Sequence, residues 1–256
     1  QLPPALGVPR TLAALFAAEG FAMEAAMTVK PQADYLNSLY TWRAQFLREG
    51  RTFPAFALAW MGSARLDLRR MERTLAGLGL LDRVGPLLTK ADAELTENRS
   101  PGPAAVEVLR RLHRGGARQA LRARSREASR FVEGMARSRG LDTAGFRGVS
   151  PALQARATAR WAAANDALAR EAWNVPWTSR VPMDAPPPVN EVAALPPVPA
   201  NEAGMRAVMD DACARFGITL RRGWAARLHG IMDASATAAS TAMQHARAFL
   251  PGEGAP

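Results

Sequence analysis

From Pro176 to Pro199 the chain carries Pro182, Pro186, Pro187, Pro188, Pro196 and Pro197, and no other stretch limits its folding so sharply. Proline lacks the backbone N–H, and its ring clashes with the preceding turn, so neither a regular helix nor a central strand can run through such a segment. The composition predicts an extended linker over 176–200. The chain is therefore divided into a body over 1–175 and a helical carboxyl-terminal extension over 201–256.

Within the body, apolar spacing points mainly to helices. Leu12, Leu15 and Phe16 suit a helix over 11–19 that Gly20 stops. Leu36, Leu39, Tyr40, Phe46 and Leu47 recur at helical spacing up to Gly50. Thr52 is placed to cap a helix carrying Phe53, Phe56, Ala57 and Trp60, and another is expected over 67–78 on Leu68, Met71, Leu75 and Leu78. Ser100-Pro101 and Ser150-Pro151 each read as a serine cap with proline at the first helical position. The first precedes Ala105, Val108, Leu109 and Leu112, and the second precedes Leu153, Ala157, Trp161, Ala164 and Leu168. An arginine-dense helix is expected over 117–135, and two more over 201–216 and 223–249. Short apolar runs over 21–29 and 84–88 are the strand candidates.

The formal charge of +10 would ordinarily indicate a polyanionic partner. The only lysines, however, are Lys30 and Lys90; an arginine- and alanine-rich composition reflects base composition as readily as a binding surface. Arg110, Arg114, Arg118 and Arg122 recur every four residues and form a basic face if one helix carries them. Aromatic residues that would stack bases are missing from that spacing, so nucleic acid is not the expected partner. Cys213 is the single cysteine, which excludes an internal disulfide and reads as a small buried apolar residue. His113, His229 and His245 have no metal-ligand spacing, and no GxSxG, HExxH, CxxC or P-loop motif occurs. No apolar run has the length of a membrane span, and a cytoplasmic location is expected.

One stretch carries a chemical suggestion of its own. In VKPQADYLNSLY, residues 29–40, an apolar run ends at Lys30, Pro31 breaks it, and a helix follows with Ser38 on its second turn. A cation at the carboxyl end of a strand, beside the N–H groups of a helix start and a hydroxyl, makes an anion site. The bland alternative is an exposed lysine and a serine bonded to its own helix.

The same residues resemble the segment that follows a central strand in bacterial sulfotransferases, where apolar strand, cation and a Ser-Leu-Tyr stretch recur in this order. In that family an arginine and a serine eight residues on hold the 3′-phosphate of 3′-phosphoadenosine 5′-phosphosulfate, and Lys30 and Ser38 stand at those positions. LTENRSPGPAAVEVLRRLHR is similar to the family's Asn-x-Ser stretch before a leucine-rich helix, which places Asn98 and Ser100 near the same ligand. LDLRRMERTLAGLGLLDRVGPLL resembles its returning helix and strand, and Asn165-Asp166 falls in its closing helix. The likeness covers roughly 21–173 in order.

The resemblance implies a truncated α/β P-loop sulfotransferase-like fold, mainly α with a few short parallel strands. The partial sulfotransferase-like domain would then occupy 1–175. It implies a nucleotide donor and a hydroxylated or amine acceptor as small-molecule partners. Lysine in place of the family's arginine keeps the charge but loses the planar fork. The family's phosphate-binding loop and catalytic base belong upstream of Lys30, and LGVPRTLAAL is no such loop. The chain is expected to be inactive alone, with no catalytic residue assigned. Either it is the carboxyl-terminal piece of an ordinary sulfotransferase, or it is a shortened relative that has lost the chemistry. A basic helical module that binds an acidic partner without catalysis is the other reading.

Overall fold

The computed structural model describes residues 14–21, 26–77, 81–86, 100–181, 185–195 and 198–220. It is mainly helical with two short parallel strands. Strand β1 (Ala26–Val29) pairs with β2 (Arg83–Pro86), Ala26 opposite Arg83 and Val29 opposite Pro86. A parallel pair needs a crossover, and three helices supply it: α1 (Gln32–Gln45), α2 (Phe53–Met61) and α3 (Leu68–Ala76). Beyond β2 come α4 (Pro103–Arg114), the one-turn α5 (Ala117–Ala120), α6 (Ser125–Ser138), the long α7 (Pro151–Trp173) and α8 (Pro199–Phe216). The strand candidates over 22–25 and 87–88, and the helix expected over 223–249, lie outside the described residues. No described helix is long and apolar enough to cross a membrane.

Helix α4 is the axis of the body. Every residue from Ala104 to Leu112 is buried. Val108, Leu109 and Leu112 pack with Leu121 and Val132 and with Met205 and Val208 of α8. From the same helix, Val106 joins a second cluster with Leu36 and Tyr40 of α1, Phe53 and Phe56 of α2, and Phe146. Tyr40 is the hub of that cluster, its ring centroid 5.3 Å from those of both Phe53 and Phe146. Packing there is tight enough that a Cβ on Gly148 would stand 2.4 Å from the Phe53 ring. The third cluster sets Met27 and Val29 of β1 against Leu168 of α7, Trp177 and Val181.

Several boundaries differ from the sequence reading for physical reasons. Helix α1 stops at Gln45, not Gly50, because Leu47 takes a left-handed conformation at φ 50° while its side chain is buried under α4. Arg48 N–H then bonds Arg43 C=O at 2.8 Å, closing the turn. At Ser100-Pro101 the serine does not cap. The cap residue is Gly102, and Asp142 reaches across from the loop after α6, accepting from Ala104 N at 2.8 Å and Ala105 N at 2.9 Å. The arginine-dense helix is broken at 121–124, where Leu121 turns into the core. At Ser150 the expected cap forms, with Oγ accepting from Leu153 N.

The proline-rich stretch lies along the body over its described residues. Asn190 accepts from Arg147 N and donates to Gly145 C=O, and Glu191 is buried beneath the start of α2. Helix α8 contributes Met205, Val208 and Ala212 to the same cluster as α4 and α6.

Candidate functional site

Strand β1 alternates exposed Ala26 and Thr28 with buried Met27 and Val29, which delivers Lys30 to the edge of the sheet at its carboxyl end. Pro31 cannot extend the ladder and becomes the cap residue of α1, without a side-chain cap bond. Pro31 therefore leaves the N–H groups at the start of α1 without a bond from the cap side chain. Ser38 stands on the exposed face of the second turn. Lys30 Nζ donates to Ser38 Oγ at 2.6 Å, across eight residues of chain. The structure thus brings the two sequence-derived candidates into direct contact. Burial holds the Lys30 ammonium below the ordinary lysine value, while the nearby Asp34 carboxylate pulls it upward.

Hydrogen bonds tie the frame around this pair together. Gln32 and Asn165 exchange reciprocal amide hydrogen bonds at 2.7 and 3.0 Å, fixing the start of α1 against α7. Gln32 Nε2 also reaches Leu66 C=O. Asn37, next to Ser38, donates to Phe146 C=O and accepts from Gly148 N–H. Beside the first turn of α1 lies a cavity of about 450 Å³ whose lining includes Pro31, Gln32, Asn165, Asp166, Trp177 and Thr178. That volume falls within the range of small-molecule sites. Asp166 Oδ1 accepts from Trp177 N at 2.9 Å and holds the segment after α7 over the cavity.

Ser100 is half-buried against Gly145, on the chain that runs to Phe146. Among the described residues no hydrogen bond joins it to Lys30 or Ser38. Asn98 lies outside the described residues. Of the residues the sequence reading did not weigh, Gln32 and Asn37 matter most to the site's shape. The signal for them is their place within QADYLNS, flanking the two candidates on the buried side of the helix.

The basic face expected from Arg110, Arg114, Arg118 and Arg122 is not assembled. Arg110 is buried, bonded to both oxygens of Glu107 and to Gly50 C=O. Arg111 bridges Glu107 to Glu202 of α8, and these contacts raise its pKa despite burial. The helix ends at Arg114, and Gly116 starts a new direction at φ 89°. Cys213 is partly buried against the core, which raises its thiol pKa. His113 Nδ1 lies 2.6 Å from Leu47 C=O at the end of α4; His229 and His245 fall outside the described residues. No grouping of His, Cys, Asp and Glu suited to a metal occurs among the described residues. Comparison with protein-family models, curated proteins and solved structures found no match for this chain.

Proposed function

We propose that this chain is the carboxyl-terminal part of a sulfotransferase that moves a sulfuryl group from 3′-phosphoadenosine 5′-phosphosulfate to a hydroxyl or amine on a carbohydrate-like acceptor. In this reading Lys30 and Ser38 hold the donor's 3′-phosphate. The observation that carries it is the 2.6 Å contact between Lys30 Nζ and Ser38 Oγ, at the carboxyl end of a parallel strand and the uncapped start of a 14-residue helix.

The chemistry of the pair suits a phosphate monoester. Lys30 gives one of its three N–H donors to Ser38 and keeps two; Ser38 accepts that bond and keeps its own O–H to donate. A dianion placed against both would restore to the ammonium the charge stabilisation that burial takes from it. The donor supplies the activated sulfuryl group. These residues bind and select it, and neither acts as acid or base. The donor's 5′ end and the base that deprotonates the acceptor are assigned to no residue of this chain. Asn98 and Ser100 remain secondary candidates near the nucleotide, and the acceptor is a hydroxylated small molecule.

Calorimetric titration with adenosine 3′,5′-bisphosphate and with adenosine 5′-phosphate tests the proposal, on the chain together with any residues encoded before Gln1. A preference for the bisphosphate that Lys30→Ala and Ser38→Ala both abolish is the expected result. Equal or absent binding of the two nucleotides by a folded protein would defeat it.

A further inference from the structure

The four-residue arginine spacing fails as a basic face, yet the structure builds a different one from residues far apart in sequence. Trp42 lies in the last turn of α1 and Phe46 is the cap residue that follows it, their ring centroids 4.9 Å apart. The Arg48 guanidinium lies 5.5 Å over the Trp42 ring and 5.7 Å over Phe46. From α6, Arg126 lies 5.3 Å from the Phe46 centroid. Two rings and two guanidinium planes are thus interleaved along the seam of α1 and α6. Trp42 is 45% exposed, high for a residue of its size. Arg130 follows Arg126 at i+4 on the same face of α6 and is exposed.

Among the described residues, no carboxylate lies within ion-pair distance of Arg48, Arg126 or Arg130. The acids nearest in sequence are engaged elsewhere. Glu49 is buried between Arg43 and Arg51, Glu127 pairs with Arg124, and Glu133 takes hydrogen bonds from Gln45 and Ser129. The chain as a whole carries +10.

We infer that the α1–α6 seam is a docking surface for single-stranded nucleic acid, with a base stacked on Trp42 and phosphates against Arg48 and Arg126. Stacking platforms interleaved with cations are what a single strand requires, because its bases expose π-faces and its backbone one charge per nucleotide. A duplex hides those faces, and an acidic peptide would satisfy the guanidiniums while leaving the indole unused. The surface is separate from the Lys30–Ser38 pair, and its occupancy does not depend on the donor reading.

Fluorescence anisotropy of the full chain with fluorescein-labelled dT12 and rU12 tests this inference, with a glutamate dodecapeptide as competitor. The oligonucleotides bind the wild type. Trp42→Ala weakens binding at least about fivefold, the lower end of one stacked base, with the helical circular dichroism unchanged because the side chain lies at the surface. Arg48→Gln with Arg126→Gln lowers the slope of log K against log salt by about 1.4, the value for two single-strand phosphates. Absent binding by the wild type, or wild-type affinity in Trp42→Ala, overturns the inference. Equal competition by the peptide also overturns it and assigns the surface to acidic chains.

Discussion

Glu191 offers the sharpest test of how the proline-rich segment is held. Its Oε1 accepts from Phe53 N–H at 2.6 Å, capping α2 from a residue 138 positions away, while Oε2 is buried without a hydrogen-bond partner. Burial pushes its pKa up from 4.5 to about 7; the Phe53 N–H and Arg110 oppose the shift, and Glu107 adds to it. A carboxyl whose folded value exceeds its unfolded one stabilises the protein fully below the unfolded value and loses that contribution as pH rises through the folded value. The window is thus pH 4.5 to about 7. At about 1.4 kcal/mol per pH unit, stability should fall by roughly 2–3 kcal/mol between pH 5 and pH 8 through this group alone. Glu191→Gln keeps an acceptor for Phe53 N–H and cannot ionise. Urea unfolding of wild type and variant at several pH values isolates the effect, since all other titrations are shared. The wild type should lose about 2–3 kcal/mol relative to the variant across that range. Profiles that stay parallel within about 0.5 kcal/mol would show that Glu191 does not hold its proton in the fold.

Three further outcomes follow from the packing. In Gly102→Ala the new Cβ would stand 2.2 Å from Asp142 Cγ and displace the carboxylate from Ala104 and Ala105 N–H. Denaturant unfolding should register a loss of about 2–4 kcal/mol. Phe146→Ala removes a fully buried ring from the Tyr40 and Phe53 contacts, at a cost of about 3–5 kcal/mol in the same assay. Asn165→Leu leaves Gln32 without its reciprocal partner and should cost about 1–3 kcal/mol. Adding Gln32→Leu should recover part of that loss, and a double variant less stable than the single would contradict the pairing.

Local chemistry explains which parts of the fold were legible in sequence. The Ser150-Pro151 start, the proline stop after Lys30 and the helical stripes of α2, α7 and α8 depend on neighbouring residues alone, and they appear where expected. The sequence singled out Lys30 and Ser38 as residues, but not their direct contact, which depends on the angle at which α1 leaves the strand. Contacts made across the chain could not be read. Asp142 caps α4 from 38 positions away, and Gln32 meets Asn165 over 133. The arginine spacing misled because periodicity gives a face without saying which way it turns. Arg110 turned inward once Glu107 and Gly50 C=O satisfied its guanidinium. The helix break at 121–124 then separated the remaining arginines, and the ring that meets Arg126 is that of Phe46, the cap residue at the end of α1.

The claim that Lys30 and Ser38 form a phosphate site is most directly tested at the Lys30 ammonium itself. Lys30 and Lys90 are the only lysines, so side-chain-labelled lysine gives two NMR signals that Lys30→Arg assigns. In the free protein Lys30 should titrate below the ordinary lysine value. Saturating adenosine 3′,5′-bisphosphate should move that titration upward, as a dianion against the ammonium requires, while adenosine 5′-phosphate leaves it in place. A Lys30 titration that does not respond to the bisphosphate, or responds equally to both nucleotides, would contradict the account.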